Sequence, residues 1–280
     1  FESPNEKVMQ RSPQIFIFLS SFRYLNSLLS MTNISSESTS PHFQNLDLQR
    51  MKREDVLKLP AHMRWVRIKG EVDVVYFDDD IVVCNKESGL LSVPGVDVKD
   101  SLVTRVAVKF GHERIDKMVV HRLDQATSGL IIYARNDHSL KALHESFRKR
   151  LVRKRYIAMV DGILETDGGE IDLPIRKDMD NPPKQLVDHV AGKPSLTIWS
   201  VIERDFEGNR TRVELTPFTG RSHQLRLHMK MIGHPILGDK LYAGSDALRK
   251  ANRCLLHSAE ISFKHPTKDQ DMSFKVDPEF

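Results

Sequence analysis

The sequence predicts a mixed α+β fold built around a β-sheet. Short apolar segments bounded by polar turns recur along the chain, and this pattern is typical of strands. Two longer segments carry apolar residues at helical spacing. Strands and helices do not alternate strictly, which favours an α+β sheet over a doubly wound one. With 40% hydrophobic and 29% charged residues, the 280-residue chain has the composition of an ordinary globular protein.

The beginning of the chain has a different composition. Residues 7 to 36 contain three basic residues, no Asp or Glu, and frequent serine. This composition resembles an organellar transit peptide, and an upstream extension without a targeting role is the alternative. We predict a disordered leader over residues 1–50, an approach segment over 51–71 and the main folded domain over 72–280. The expected location is the cytoplasm, or an organelle if the leader is a transit peptide.

Several strands are predicted along this domain. The first two flank the acidic turn Asp78–Asp80 and together predict a hairpin. In chain order the predicted strands are Val74–Phe77, Ile81–Cys84, Ser128–Ala134, Tyr156–Val160, Leu196–Ile202, Arg212–Leu215 and Glu260–Phe263.

Two helices are predicted between these strands. The first begins after a cap at Asn136 or Asp137 and runs to about Arg150. The second runs from about Ser222 to Ile232 and ends at a glycine. Each carries its apolar residues on one face, so each is expected to pack on the sheet.

The segment His121–Leu130 (HRLDQATSGL) is the strongest candidate for chemistry. It places Asp124 in a loop that leads into an apolar strand, where a carboxylate can be held rigidly while it faces a cleft. A surface loop with an incidental salt bridge is the alternative.

A basic run precedes the strand that begins near Tyr156. Six of the eight residues from Arg148 to Arg155 are Arg or Lys. Such a density of charge suits contact with an RNA backbone, although a solvated helix end is the common alternative. Net charge is only +4, so the position of the cations is more informative than their number.

The segment Leu215–His228 (LTPFTGRSHQLRLH) places Arg221 between a turn and a helix, where its guanidinium can reach a cleft. His223 and His228 are five residues apart and point about 140° away from each other on a helix, which suits no shared metal ion. The following segment Gly233–Tyr242 is interpreted as a packing turn without chemistry. The sequence has no GxGxxG, GxxxxGK[ST] or GxSxG motif.

Taken together, these segments resemble the RluA family of pseudouridine synthases. The resemblance covers roughly Val72 to the C-terminus, and four ordered motifs carry it. Further segments resemble the RluA branch in particular. The four motifs are HRLDQATSGL, RKRYIAMVDG, LTPFTGRSHQLRLHM and GHPILGDKLY, and the further segments are LLSVPG, DLPI and PPKQ.

The resemblance implies a pseudouridine synthase fold, with a curved, largely antiparallel mixed β-sheet and a central cleft. It also implies an activity, the isomerisation of uridine to pseudouridine in ribosomal RNA, a tRNA anticodon stem-loop or both. The base is expected to be flipped into the cleft, because its reacting atoms are inaccessible in stacked RNA. No cofactor or metal is implied, since the reaction is an isomerisation. We expect a monomer that binds RNA but neither a membrane nor a protein partner.

By the same resemblance, Asp124 is the nucleophile and Arg221 pairs with it to keep it charged and oriented. Tyr156 stacks on the uracil, and Arg122 enters the space that the base leaves. The remaining residues expected to bind substrate are His121, Thr127, Arg148, Lys149, Arg150, Lys154, His223 and Arg226.

Two other functional classes are weighed against this one. A catalytically inactive RNA-binding module is disfavoured because Asp124, Tyr156 and Arg221 are all present. A nucleic-acid hydrolase would need a metal-ligand cluster or an activated nucleophile, and the sequence offers neither pattern.

Overall fold

A computed structural model describes residues 70–95, 100–112 and 114–280. The predicted leader and residues 51–69 of the approach segment lie outside these residues. In the part of the chain that is described, no helix has the length and apolar character needed to cross a bilayer.

The described residues contain eleven strands, four α-helices and a short 3₁₀ turn at Ile115–Lys117. The helices are α1 (Leu102–Phe110), α2 (Asp137–Arg148), α3 (Gln224–Met231) and α4 (Ser245–Arg249). The strands are β1 (Asp73–Phe77), β2 (Ile81–Lys86), β3 (Ser128–Ala134), β4 (Arg153–Asp161), β5 (Gly168–Asp172), β6 (Ile175–Lys177), β7 (Gln185–Val187), β8 (Leu196–Asp205), β9 (Arg210–Pro217), β10 (Leu256–Lys264) and β11 (Asp271–Lys275).

Nine of these strands form one sheet in the order β1-β2-β3-β10-β4-β9-β8-β5, with β11 added on β10, and β6 and β7 form a separate hairpin. Its pairs are antiparallel except for β3 and β10, which are parallel. The expected mixed, largely antiparallel sheet is therefore confirmed.

Strand β10 brings the two most informative motifs together. Ser258 pairs with Gly129 of β3 on one side and with Tyr156 of β4 on the other. Gly129 has a φ of +106°, and a side chain there would place its Cβ 2.4 Å from the carbonyl oxygen of Ser258. Only glycine permits this approach. Tyr156 thus lies two strands, roughly 9–10 Å, from the strand that follows Asp124.

Strand β3 is buried on both faces. Ile131 and Tyr133 face a core that includes α1, whereas Leu130 and Ile132 face a core that includes Leu140 and Leu143 of α2. Successive side chains of a strand point to opposite faces, so a strand that is buried on both faces needs an unbroken run of apolar residues, as β3 has. Each fully buried Leu or Ile contributes about 1.5–3 kcal/mol, so β3 is a rigid base for the loop that precedes it.

The predicted bounds agree with the structure at some elements and differ at others. Strand β3 has the predicted bounds, and the Asn136 side chain caps α2 as expected. Helix α2 ends at Arg148, before Arg150, whose φ is +60°. Helix α3 begins at Gln224 because His223 has a left-handed φ of +54°. Helix α1, which was not predicted, begins with a capping box between Ser101 and Thr104.

Candidate active site

The loop that carries Asp124 is braced by the segment after β2. Ser92 accepts a hydrogen bond from the backbone N–H of Leu123 and donates one to its carbonyl, at 3.1 and 2.7 Å. Ser88 donates to the carbonyl of Ala126 at 2.7 Å. The backbone of the loop is fixed at both ends, while the Asp124 side chain keeps 22% of its surface exposed. A carboxylate is thereby presented to solvent from a rigid loop.

A buried lysine strengthens this brace. Lys86, at the end of β2, is 1% exposed, and its ammonium group donates to three backbone carbonyls, those of Glu87, Leu90 and Gln125, at 2.8, 2.8 and 3.2 Å. Burial lowers the pKa of Lys86 to about 8, against the charge of Asp124, which acts in the opposite direction. Three carbonyl partners compensate much of the cost of burying this cation.

The charge partner of Asp124 is Arg226, in the first turn of α3. Arg226 binds Asp239 through two hydrogen bonds, from Nε at 2.7 Å and from Nη2 at 2.5 Å. Its remaining terminal nitrogen, Nη1, lies 3.4 Å from Oδ2 of Asp124. Burial opposes the charge of the guanidinium, but the hydrogen bonds and charge of Asp239 hold the pKa of Arg226 above its usual range. Arg226 therefore stays a cation whose orientation is set by Asp239.

The expected pairing of Arg221 with Asp124 is wrong for this structure. Arg221 is exposed at the rim of the cleft, and its Nε donates to the carbonyl of Pro194 at 3.4 Å. The cause is the turn before α3, where the backbone N–H of Arg221 is bound to the side chain of Gln224. Arg226, five residues later and buried in the helix, takes the position at the carboxylate.

Tyr156 lines the same small cavity as Asp124. The cavity has a volume of about 100 Å³ and is also lined by Arg122, Thr127 and Arg226. Burial raises the pKa of Tyr156 to about 12, and the charge of Asp124 acts in the same direction, so the phenol is protonated at neutral pH. A carboxylate, a phenol and a guanidinium thus converge on one small space.

Larger spaces adjoin this cavity on two sides. One has a volume of about 640 Å³ and shares Arg122, Asp124, His223 and Arg226 with the small cavity. The other is a groove of about 750 Å³ that shares Lys154 and the turn 219–221 with it. Asp124 therefore lines two adjoining spaces, and the small cavity that it shares with Tyr156 also borders the groove of about 750 Å³.

The basic run lines the groove of about 750 Å³, which we call the basic groove. Its cationic lining residues are Arg148, Arg150, Arg153, Lys154, Arg155 and Arg221. Burial lowers the pKa of Lys154, which connects the basic groove to the small cavity. The basic run therefore lies beside the small cavity, although Lys149 is not among the lining residues.

Not every cation of the run is free of intramolecular partners. Arg148 and Lys149 both pair with Glu145, the latter at 3.1 Å. Arg155 lies between Glu214 and Glu260, at 3.3 and 3.0 Å. Exposed pairs of this kind are weak, so phosphate groups can compete for the same cations.

His121 differs from its expected role in substrate binding. Its ring stacks on Phe147, with centroids 4.7 Å apart, and its Nε2 accepts the backbone N–H of Ile132 at 3.0 Å. Burial lowers the pKa of His121 to about 3, with a smaller effect from Lys154, so the ring stays neutral. The side chain of His121 packs between α2 and β3. Its expected contact with RNA is therefore corrected to a structural role.

The two histidines of the third motif face different partners. His228 lies between Thr197 Oγ1 and the carbonyl of Leu173, at 2.9 and 3.1 Å. His223 contacts the hydroxyl of Tyr242 through Nδ1, at 2.9 Å, and its Nε2 lies 4.0 Å from Oδ1 of Asp124. The two rings therefore have different partners, although His223 lies before α3 and not within the helix that the prediction assumed.

The interpretation of Gly233–Tyr242 as a turn without chemistry is corrected by these contacts. Asp239 orients Arg226, and Tyr242 holds His223. The Gly-Asp pair and the tyrosine that follows it are visible in the sequence. Their roles could not be predicted, because they depend on contacts with residues outside the segment. Lys86 was also missed, because a lone lysine at the end of a strand usually points to solvent.

The arrangement suits covalent chemistry on a nucleic-acid base. A part-exposed carboxylate is fixed beside a buried cation, a protonated phenol lies in the same cavity, and a basic groove adjoins it. Preorganised groups of this kind need little rearrangement when charge develops during a reaction.

Known proteins are similar to this chain in sequence and in fold. A family model described as RNA pseudouridylate synthase matches residues 80–231. A protein named dual-specificity RNA pseudouridine synthase RluA, from Pasteurella multocida, is 46% identical over 211 residues, which cover 75% of the chain and 94% of that protein. The protein of the same name from Escherichia coli strain K12 is 44% identical over 209 residues, covering 74% and 93%. The solved structure of human RNA pseudouridylate synthase domain containing 1 matches with a TM-score of 0.64 and 26% identity, over 75% of the chain and 84% of that structure.

Proposed function

Since the chain belongs to the RNA pseudouridylate synthase family, we propose that it converts specific uridines of structured RNA into pseudouridine with Asp124 as the nucleophile. The expected membership of the RluA type and the expected pseudouridine synthase fold are both confirmed. The observation that carries the proposed role of Asp124 is its position. It is a part-exposed carboxylate in a cavity that it shares with Tyr156 and Arg226.

The reaction rearranges bonds within one nucleoside. The bond between C1′ and N1 breaks, the base turns, and C5 forms a new bond to C1′. C5 loses its proton and N1 gains one, so atoms and electrons balance without a redox partner. One carboxylate that adds to the nucleoside and later leaves is sufficient to divide this reaction into accessible steps.

Other residues of the site have supporting roles in this proposal. Arg226, oriented by Asp239, holds the carboxylate of Asp124. Tyr156 stacks on the flipped uracil, and Arg122 occupies the space that the base leaves in the RNA. Thr127 fixes the loop, because its backbone N–H donates to the carbonyl of Asp124 at 3.1 Å. Base flipping costs a few kcal/mol, which contacts along the cleft offset.

The proposed substrates are ribosomal RNA and a tRNA anticodon stem-loop. The curated relatives carry a name that states dual specificity. The basic groove supports contact with a folded RNA beyond the reacting nucleotide, since its cations extend from Lys154 to Arg148. We propose that residues 72–280 form the catalytic domain, which acts as a cytoplasmic monomer.

The direct test is conversion of uridine in purified total RNA, with EDTA present. We expect pseudouridine to form in EDTA with the wild-type protein and not with Asp124→Asn. Mapping of pseudouridine across RNA from cells with and without the gene identifies the positions. If the protein cleaves RNA, or if EDTA abolishes the reaction, the assignment of a metal-independent isomerase is wrong. If it binds RNA without converting uridine, it is a binding module.

A further inference from the structure

A chain of contacts, which we call the relay, runs from Gln185 through Tyr242 and His223 to Asp124. The backbone N–H of Gln185, the first residue of β7, donates to the hydroxyl of Tyr242 at 2.8 Å. The same hydroxyl lies 2.9 Å from Nδ1 of His223, and the two rings meet edge to face with centroids 5.7 Å apart. The opposite nitrogen of His223, Nε2, points at Oδ1 of Asp124 from 4.0 Å.

The direction of these bonds fixes the proton on His223. The hydroxyl of Tyr242 accepts the N–H of Gln185, which leaves its own proton available for donation to a second partner. Among the described residues, Nδ1 of His223 is the acceptor within reach. Nδ1 is then unprotonated, and the neutral ring carries its proton on Nε2. The N–H of His223 therefore faces Asp124.

The two oxygens of Asp124 then face two different donors. Oδ2 faces Nη1 of Arg226 at 3.4 Å, and Oδ1 faces Nε2 of His223 at 4.0 Å. Both distances exceed an ordinary hydrogen bond of about 2.9 Å. Both donors are anchored on their far side, Arg226 by Asp239 and His223 by Tyr242. Asp124 is thus centred between two donors without being bound tightly by either.

We propose that His223 is a positioning residue for Asp124, and that the β6–β7 hairpin sets its tautomer through Tyr242. The N–H on Nε2 favours the rotation of the carboxylate in which Oδ1 faces His223 and Oδ2 faces Arg226. The proposal rests on the proposed function, because it assumes that Asp124 reacts with the RNA.

The position of the β6–β7 hairpin connects the relay to the space that RNA would occupy. Pro183, two residues before Gln185, lines the 640 Å³ cavity together with Asp124 and His223. RNA that fills this cavity touches the same hairpin that holds Tyr242. The alignment of Asp124 is therefore tied to a segment that the substrate contacts, which favours attack only when the RNA is in place.

A matched pair of substitutions separates the two ring nitrogens. In His223→Gln the amide nitrogen lies as many bonds from Cβ as Nε2 does, so a donor to Asp124 is kept and the acceptor for Tyr242 is lost. In His223→Asn the amide oxygen replaces Nδ1 as the acceptor, and no donor reaches Asp124. Asn also tolerates the left-handed φ of +54° at this position, so His223→Asn is expected to fold.

The measurement is the single-turnover rate of pseudouridine formation at saturating RNA. We expect His223→Asn to lose about 100-fold, the scale of a reacting group misplaced by about 1 Å, and His223→Gln to stay within about fivefold of wild type. The apparent substrate constant should change little in either variant. If His223 served only to anchor Tyr242, the order would be reversed. A reversed order, equal losses or two unaffected rates would each overturn the proposal.

A second measurement depends neither on enzymatic activity nor on the folding of a His223 variant. Long-range ¹H–¹⁵N spectra of histidine-labelled protein report which ring nitrogen carries the proton. We expect His223 to be protonated on Nε2, and Tyr242→Phe to add the Nδ1–H form. A wild-type His223 protonated on Nδ1 would contradict the relay. A wild-type enzyme that forms no pseudouridine would contradict the proposed function, so the two failures are distinct.

Discussion

Arg226 contacts two carboxylates that have opposite surroundings, one in the Asp124 loop and one in the turn at Asp239. Asp239 is fully buried and receives two short bonds from Arg226, and backbone N–H groups of Leu241 and Tyr242 donate to it at 2.9 and 3.3 Å. Asp124 is 22% exposed and has Nη1 of Arg226 at 3.4 Å. A carboxylate can accept about four hydrogen bonds. Asp239 uses this capacity, and Asp124 keeps most of it for a substrate.

Because of this difference, the guanidinium of Arg226 has a structural role at Asp239 and a role in the reaction at Asp124. The bidentate pair with Asp239 fixes the plane of Arg226 and compensates its buried charge. The third nitrogen is then available at a fixed place without having to bind Asp124 tightly. A reactive carboxylate benefits from this arrangement, because a donor that bound it strongly would reduce its ability to attack.

Replacement of Asp124 gives the largest expected effect on rate. Asp124→Asn should lower turnover below about 1% of wild type, because the amide cannot act as the nucleophile. Binding of RNA should stay within about tenfold, since phosphate contacts supply most of the affinity. The measurements are single-turnover rates and a binding isotherm, on protein checked for deamidation. Retention of more than a few per cent of the rate would reject Asp124 as the nucleophile.

Arg226 and Arg221 form the second test, since they lie in one motif and differ in burial. Arg226→Ala should reduce the rate at least about 100-fold, because it removes the oriented cation beside Asp124. Arg226→Lys should recover part of this loss, since it keeps a charge but not the planar fork. Arg221→Ala should mainly raise the apparent substrate constant, because Arg221 lies on the rim of the cleft. Equal loss of rate in Arg226→Ala and Arg221→Ala would favour the pairing of Arg221 expected from the sequence.

Asp239 gives the third test, in which stability changes more than binding. Asp239→Asn leaves the buried guanidinium of Arg226 without its charge partner, and breaking such a pair costs about 3–5 kcal/mol. The free energy of unfolding from urea titration measures this cost. Asp124→Asn serves as the matched control, because its carboxylate is part-exposed and should lose little stability. Equal destabilisation of the two variants would remove the distinction between the structural and the reactive carboxylate.

Much of this fold could be predicted from local patterns. The unbroken apolar run of β3 and the Asn136 cap of α2 are signals of a few residues, and the structure has both where they were predicted. Helix α1 was missed although its capping residues Ser101 and Thr104 stand in the sequence.

The site was predictable as a set of motifs but not as a set of contacts. Arg221 and Arg226 are equally plausible partners of Asp124 within one motif. The choice depends on Asp239, which is thirteen residues beyond Arg226, and on the left-handed conformation of His223. His121 was misassigned for a similar reason, because only the packing of α2 against β3 shows which side of the loop its ring occupies. Tertiary contacts decide both cases.

The smallest expected effect on turnover concerns the basic groove, which lies outside the pair of carboxylates. Replacing Arg148, Lys149 and Arg150 together with Gln should raise the apparent substrate constant and leave the rate at saturating RNA nearly unchanged, because these cations position RNA without touching the reacting base. Each phosphate contact contributes about 0.7–0.9 to the log–log dependence of binding on salt. Since Arg148 and Arg150 line the groove and Lys149 does not, we expect the slope to flatten by about 1.4–1.8.

A second triple variant controls for the loss of charge alone. Arg114, Lys117 and Lys141 line neither the basic groove nor the two cavities at Asp124, so their replacement with Gln should leave the slope unchanged. If the cations at 148–150 only end α2 and pair with Glu145, both triple variants will have wild-type slopes, and the variant at 148–150 will lose only a little stability. Unequal slopes, with turnover intact, would separate residues that guide the RNA from those at Asp124 that react with it.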